Sequence, residues 1–423
     1  MDQSDQREHF IPFRKTDIAT MCVEDGKVAS VDGEPFSNFC DILQSIIHFE
    51  FHERIERLKD LYAPFDPTGD TRPLVTHSPG DRDALQKALV VELEGVLAKA
   101  NYTRVSKEEL NHALSEESVF RVQLHTDLDD FAELILFRRG QRRRQETIPI
   151  WGGLRKRVID VDYFERVAIY VRFKDAPVAD PAAKPSRQPT SVPGSTVLKL
   201  FQNIPRADLE MLFPNVDVRM KLTDRAMIGV PAVLGAFGIL AKLGASLLVV
   251  WLVLAFWLGL TSSEPKAIDS AQLIALGLGV FTLVMYLLRQ YGRFKNRKIQ
   301  FMKALADNLY FKNLDNNAGV FHHLIDAAEE EECKEAVLAY VFLRAAGDGG
   351  ITEAALDSAV EKWFAERWKI SLDFEVDDAL AKLARLGIAV ERDGKWHAEP
   401  LPRALEKLDE RWDHFFVFAQ DRA

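Results

Sequence analysis

The apolar positions of this chain fall into three patterns. Two charge-free runs of 18 residues, 243–260 and 271–288, are joined by a short polar turn at 261–270. At about 1.5 Å of rise per residue each run would span roughly 27 Å as a helix, close to the thickness of a bilayer core. The expectation is a two-helix transmembrane hairpin over 243–288. A third run, 226–241, contains Pro231, Gly235 and Gly238 and precedes Lys242, and it reads as an interfacial or re-entrant helix. Before these runs the pattern is mixed. Ile42, Ile46, Phe49 and Leu58 lie near helical spacing and predict a long helix over 36–61, ended by Pro64 and Pro67. A second helix, capped by Asp81 or Asp83, runs to about Ala100, and Ser106 with Glu109 starts another. Strand-forming residues follow at 119–125, 131–138, 166–173 and 196–201, with Gly140 placed as a hairpin turn.

Residues 1–218 therefore read as an α+β domain, interrupted at 175–195 by a loop with Pro177, Pro181, Pro185, Pro189 and Pro193. Strand-like sequence on both sides suggests that this loop interrupts one sheet. After the apolar runs, 289–323 reads as a basic juxtamembrane helix. Residues 324–423 then show three helical segments and two short strands, 388–390 and 395–398, around an Arg-Asp-Gly turn. Three helices and a hairpin make an α-rich, winged-helix-like domain.

Charge adds orientation and excludes one class of partner. Arg219, Lys221 and Arg225 precede the apolar region, and Arg289, Arg293, Lys295, Arg297, Lys298 and Lys303 follow it. Basic flanks on both sides predict a multi-pass protein of a bacterial inner membrane with both termini cytoplasmic. Residues 324–423 hold 23 acids against 13 Lys and Arg, so this segment carries the whole net charge of −10. The third helix of the winged-helix-like domain opens with Asp373, Glu375, Asp377 and Asp378, which argues against nucleic acid and for a protein partner. Cys22, Cys40 and Cys333 are odd in number and unclustered along the chain, and suggest a reducing compartment without disulfides. Asp2, Asp5, Glu8 and Asp17 in the first 20 residues argue against a signal or transit peptide.

Chemistry is sparse. His48 and His52 lie four apart with Glu50 and Glu53 beside them, at a spacing that serves either a metal or two core or solvated histidines. His322, His323, Asp326, Glu329, Glu330 and Cys333 form a second ligand-rich stretch, but Glu329 to Glu332 is an acidic run of the kind that usually forms a solvated face. The sequence contains no phosphate-binding glycine loop and no Gly-x-Ser-x-Gly elbow, and no cofactor is predicted. Arg138, Arg139, Arg142, Arg143 and Arg144 cluster at the expected hairpin tip. On a membrane-tethered domain these arginines, with Arg293, Lys295, Arg297 and Lys298, would contact anionic lipid headgroups.

Several blocks are familiar together: Ile-Pro-Phe-Arg-Lys at 11–15, Tyr-Ala-Pro-Phe-Asp-Pro at 62–67, Ala-Asn-Tyr at 100–102, and Phe-Gln-Asn-Ile-Pro-Arg-Ala-Asp-Leu-Glu-Met-Leu-Phe-Pro at 201–214. They resemble the membrane family of unknown function that includes eukaryotic transmembrane protein 143 and plant relatives. The resemblance implies a membrane protein and brings no reaction, ligand or catalytic residue. Within the last block, Arg206 and Asp208 are expected to couple the N-terminal domain to the membrane. The functional expectation is a non-enzymatic, membrane-anchored scaffold or adaptor whose acidic C-terminal domain binds a protein. The alternative is a membrane enzyme or transport component, metal-dependent through His48 and His52.

Overall fold

The computed structural model describes residues 9–28, 32–69, 74–75, 77–115, 123–126, 131–150, 155–175, 192–214, 216–219 and 270–416, with scattered positions between 230 and 260. The first half contains helices α1 (Lys15–Glu24), α2 (Gly33–Tyr62) and α3 (Pro79–Lys99), then β1 (Thr103–Arg104), α4 (Lys107–Ser115), β2 (Gln123–Thr126), β3 (Phe131–Ile150), β4 (Arg155–Phe173), β5 (Thr196–Pro205) and β6 (Val216–Arg219). The second half contains α5 (Ser270–Lys312), β7 (Asn313–Asn316), α6 (Ala318–Ala345), α7 (Glu353–Trp368), α8 (Val376–Arg385), β8 (Ala389–Arg392), β9 (Lys395–Ala398) and α9 (Leu401–Asp413). These elements belong to two compact units. One comprises Met1–Ala113, Leu128–Arg206 and Lys312–Ala423; the other comprises Leu114–Asp127 and Ala207–Phe311.

The first unit is a layer of helices on one face of an antiparallel sheet ordered β1-β3-β4-β5-β7. Helix α2 forms because Phe36, Phe39, Leu43, Ile46, Phe51, Ile55, Leu58 and Tyr62 recur at three- and four-residue steps, and all are buried. Helix α3 is capped by Ser78, whose hydroxyl accepts from Asp81 N while the Asp81 carboxylate returns to Ser78 N. Asp81 is thus the third residue of a capping box rather than the cap itself. Ser106 Oγ accepts from Glu109 N at 3.0 Å, as the pattern predicts.

Strands β3 and β4 pair along nearly their whole length. Gly140 is not a hairpin tip. It lies inside β3 at φ +67°, where a Cβ would meet the Glu165 side chain across the pair. Strands β4 and β5 are neighbours, so the chain between them, including the proline-rich stretch that lies mostly outside the described residues, returns to the same sheet.

Ile135 and Phe137 of β3, Ala168 and Tyr170 of β4, and Leu198 and Leu200 of β5 turn one sheet face into the core that the helices share. The centre of that layer is α6, which packs against α1, α2, α3, α7 and α8. The N-terminal helices and the C-terminal segment therefore share one core. The C-terminal segment runs helix, helix, helix, hairpin, with Ile351 bridged to Trp396 of β9. Asp393 and Gly394 both adopt positive φ and close the β8–β9 turn.

In the second unit β2 pairs with β6 antiparallel, and α5 is a helix of 43 residues. Here the structure corrects the sequence reading. Among the described residues no helix is long and apolar enough to cross a membrane. The run 271–288 is only the first part of α5, which continues unbroken through Arg289, Arg293 and Lys295 to Lys312, so apolar and basic stretches share one helix. Half of the positions in 243–260, and half of those in the expected re-entrant segment 226–241, lie outside the described residues. The transmembrane hairpin, and with it the multi-pass, inner-membrane placement, is not supported.

Candidate functional site

The densest chemistry of the first unit lies in the middle of α6, on the acidic run expected to face solvent. It does not. Glu331, Glu332, Lys334 and Glu335, with Lys382 of α8, are between 1% and 4% exposed. The helix is buried nearly all round, so its charges must be paired inside the protein. Lys334 Nζ donates to Glu331 Oε1 at 2.6 Å and to the Ile11 carbonyl at 2.7 Å, while Ile11 N donates to Glu331 Oε2 at 3.2 Å. The pair thereby holds the N-terminal strap by its main chain. Glu332 accepts from Lys382 and, at 2.5 Å, from Lys99 of α3. Lys99 also meets Asp378 of α8 at 3.5 Å. Glu335 accepts from Asn101 Nδ2 at 3.4 Å and faces Lys382 at 4.0 Å. Burial pushes the Glu335 carboxyl up to about 8, Lys382 opposing and Glu332 and Glu331 reinforcing. Burial also raises Glu331, against the pull of Lys334.

The histidine pair is drawn into the edge of this network rather than held together as a ligand set. His48 Nδ1 lies 2.7 Å from Glu329 Oε2, which also receives Lys15 Nζ on its other oxygen at 3.3 Å. The His52 ring packs near Phe49, centroids 6.0 Å apart. Among the described residues no group of three or more His, Cys, Asp or Glu side chains is arranged to hold a metal ion. The three cysteines are free, and burial pushes each thiol up to about 12.

The arginine cluster lies along β3, and its side chains have partners in the sheet and in the adjoining α3 and α4 segments. Arg138 pairs with Glu109 at 3.1 Å, Arg142 with Glu165, and Arg143 with Asp162 at 2.8 Å. Arg144 reaches Asn203 Oδ1 at 3.4 Å and lies over the Tyr163 ring. Arg139 donates to the Ala100 carbonyl at 3.2 Å. On α5, Arg293 and Lys295 are exposed, while the side chains of Arg297 and Lys298 are outside the described set. The lipid-headgroup reading of these residues rested on a membrane tether that the described helices do not supply. Arg206 approaches His112 Nδ1 at 3.5 Å, and Asp208 is fully buried.

One surface feature was not anticipated. Phe49 of α2 meets Phe415, Phe416 and Trp412 at centroid distances of 4.5, 5.1 and 6.3 Å. Trp412 is 41% exposed and Phe416 66% exposed. Beside this aromatic cluster opens a cavity of about 600 Å³ lined by Glu50, Arg385, Lys407, Arg411 and His414 among others. Its cations are taken up internally: Arg385 and Arg411 by Glu50, and Lys407 by Glu399. The exposed carboxylates of Asp409, Glu410 and Asp413 form no ion pair among the described residues. The sequence signal was the Arg-Trp-Asp-His-Phe-Phe block at 411–416, but its partner Phe49 is far away in the chain.

A family model described as a protein of unknown function (DUF3754) matches residues 164–319, from β4 to the start of α6. The family is uncharacterised, and the match ties the chain neither to transmembrane protein 143 nor to a membrane. No solved structure matches.

Proposed function

We propose that this protein is a non-enzymatic scaffold or adaptor, and that its docking surface is the aromatic cluster of Phe49, Trp412, Phe415 and Phe416. The occupant this surface suits is a basic, amphipathic segment of a partner protein. The carrying observation is the exposure of Trp412 and Phe416 together with the exposed carboxylates of Asp409, Glu410 and Asp413, which form no ion pair among the described residues. Exposed aromatic anchors are enriched in binding hot spots, and exposed carboxylates on the same helix favour a basic partner. The central charges support the same reading, since Glu331, Glu332, Lys334 and Lys382 satisfy one another and hold main chain. A basic α8 surface for nucleic acid is missing too: Lys382 is buried and Arg385 is bound to Glu50.

The test is binding of the full chain to a designed Lys/Leu amphipathic peptide and to its Glu/Leu counterpart. The Lys/Leu peptide should bind, the Glu/Leu peptide should not, and both W412A and D409N/D413N should weaken binding at least tenfold without loss of helicity. Equal binding by W412A sinks the proposal. So does binding that appears only after removal of residues 417–423, because the chain's own tail would then be the occupant.

A further inference from the structure

A second cavity of about 440 Å³ lies in the first unit, between the core-facing side of the sheet, α6 and the strap ahead of α1. Arg139 of β3 and Arg166 of β4 both line it, and they stand directly opposite each other in the antiparallel register. They share the sheet face of Phe137 and Ala168, which points to the core. Like charges in directly opposed positions repel and destabilise a strand pair. Arg138, Arg142 and Arg143 of β3 each pair with a carboxylate, but neither Arg139 nor Arg166 forms an ion pair among the described residues. Among the described residues Arg139 donates to the Ala100 carbonyl alone, and its guanidinium lies 4.5 Å from the Phe10 ring centroid and 5.0 Å from that of Tyr102. Arg166 donates to the Glu165 carbonyl at 3.3 Å and to Gln202 Oε1 at 3.1 Å.

Each guanidinium carries five N–H donors, and these hydrogen bonds use a minority of them, so both retain donors for a ligand. The phenol of Tyr102 feels both guanidiniums, which oppose the upward push of burial on its pKa. The cavity's nearer acids are already engaged: Glu331, which also feels the more distant charge of Arg139, is bonded to Lys334 and the Ile11 amide, and Glu330 meets Arg14 at 3.6 Å. Asp17 and Asp326 are exposed and make no ion pair among the described residues, and they would disfavour a large polyanion.

The geometry points to a binding site for a small organic anion, whose carboxylate or phosphate group is gripped by Arg139 and Arg166 together. Two forked guanidiniums on adjacent strands match the planar or tetrahedral oxygens of such a group. The ligand would supply the negative charge that the strand pair lacks. This site stands apart from the scaffold reading, and neither depends on the other.

The experiment is thermal unfolding of the full chain at fixed ionic strength, in sodium chloride, then with inorganic phosphate or acetate replacing chloride at millimolar levels. The wild type should gain several degrees in one of the two anions, phosphate identifying a phosphate head and acetate a carboxylate. R139Q and R166Q should each lose that gain. In chloride alone each should be as stable as the wild type or more so, because the like-charge repulsion is gone. An equal response of the wild type to chloride, phosphate and acetate overturns the inference. So does an anion response that survives in both variants. Should either variant fail to fold, isothermal titration of the wild type with both anions decides alone: no saturable heat in either refutes the site.

Discussion

Glu335→Gln isolates the energetic cost of the buried charge network. The Glu335 carboxyl sits at about 8 in the folded protein against an ordinary value of 4.5. Between those two values the unfolded chain has released its proton and the folded chain still holds it. The folded state therefore binds more protons, and stability must fall as pH rises through that window, by about 1.4 kcal/mol per pH unit. Full ionisation would cost roughly 5 kcal/mol as an upper bound, because Lys382, Glu332 and Glu331 share the titration and spread it. Glutamine keeps the acceptor for Asn101 Nδ2 and has no proton to lose. Urea unfolding of wild type and E335Q at pH 6, 7, 8 and 9 is the assay. The difference between the two should grow in favour of E335Q by about 1 kcal/mol per unit from pH 6 to 8 and level off near pH 9. Parallel pH profiles would show that folded Glu335 has already lost its proton by pH 6, as in the unfolded chain, and would refute the reasoning.

Two further outcomes follow from the same structure. Lys382→Met should destabilise by roughly 3 kcal/mol in urea unfolding at pH 7, since it leaves the buried Glu332 carboxylate with Lys99 as its counter-ion and removes the cation facing Glu335, and adding E332Q should recover part of the loss. Gly140→Ala should cost about 1–2 kcal/mol because its φ is left-handed; E165A should relieve only the side-chain contact and leave that backbone cost in place.

What could be read from the chain was what is local. The periodicity of α2 needs no partner to be visible, and neither do the Ser106 cap or the Asp393-Gly394 turn. The failures share a cause. Glu329 to Glu332 look solvated because the residues that bury them, Ile11, Lys99 and Lys382, lie 50 to about 320 positions away. Gly140 looks like a turn because positive φ is commonest there, whereas here it makes room for Glu165 inside a long strand. The run 271–288 has the length and hydropathy of a span when cut out of the sequence, but it is one end of a 43-residue helix whose other end is basic. The Arg139–Arg166 opposition could not be seen without the β3–β4 register.

The buried network bears on function through what it joins. A buried ion pair is weak evidence for stability, yet removing one partner is costly, so such pairs discriminate between correct and incorrect assembly. In this protein Glu331 and Lys334 grip the strap at Ile11, Glu332 links α3 to α8, and Glu329 reaches His48 on α2. Every one of these contacts joins the N-terminal third of the chain, the C-terminal third, or both, to α6. Immediately after His48 on the same helix, Phe49 and Glu50 reach α9 and the aromatics that follow it. The aromatic surface is therefore composite: α9 and the residues after it supply Trp412, Phe415 and Phe416, and α2 supplies the ring they pack on. An isolated fragment 324–423 would lack Phe49 and Glu50, leaving Arg385 and Arg411 without their carboxylate and the aromatics without their base. Failure of that fragment to bind would thus say nothing against the surface. F49A in the full chain is the sharper perturbation, and it should weaken peptide binding together with W412A rather than additively, because the two residues form one cluster.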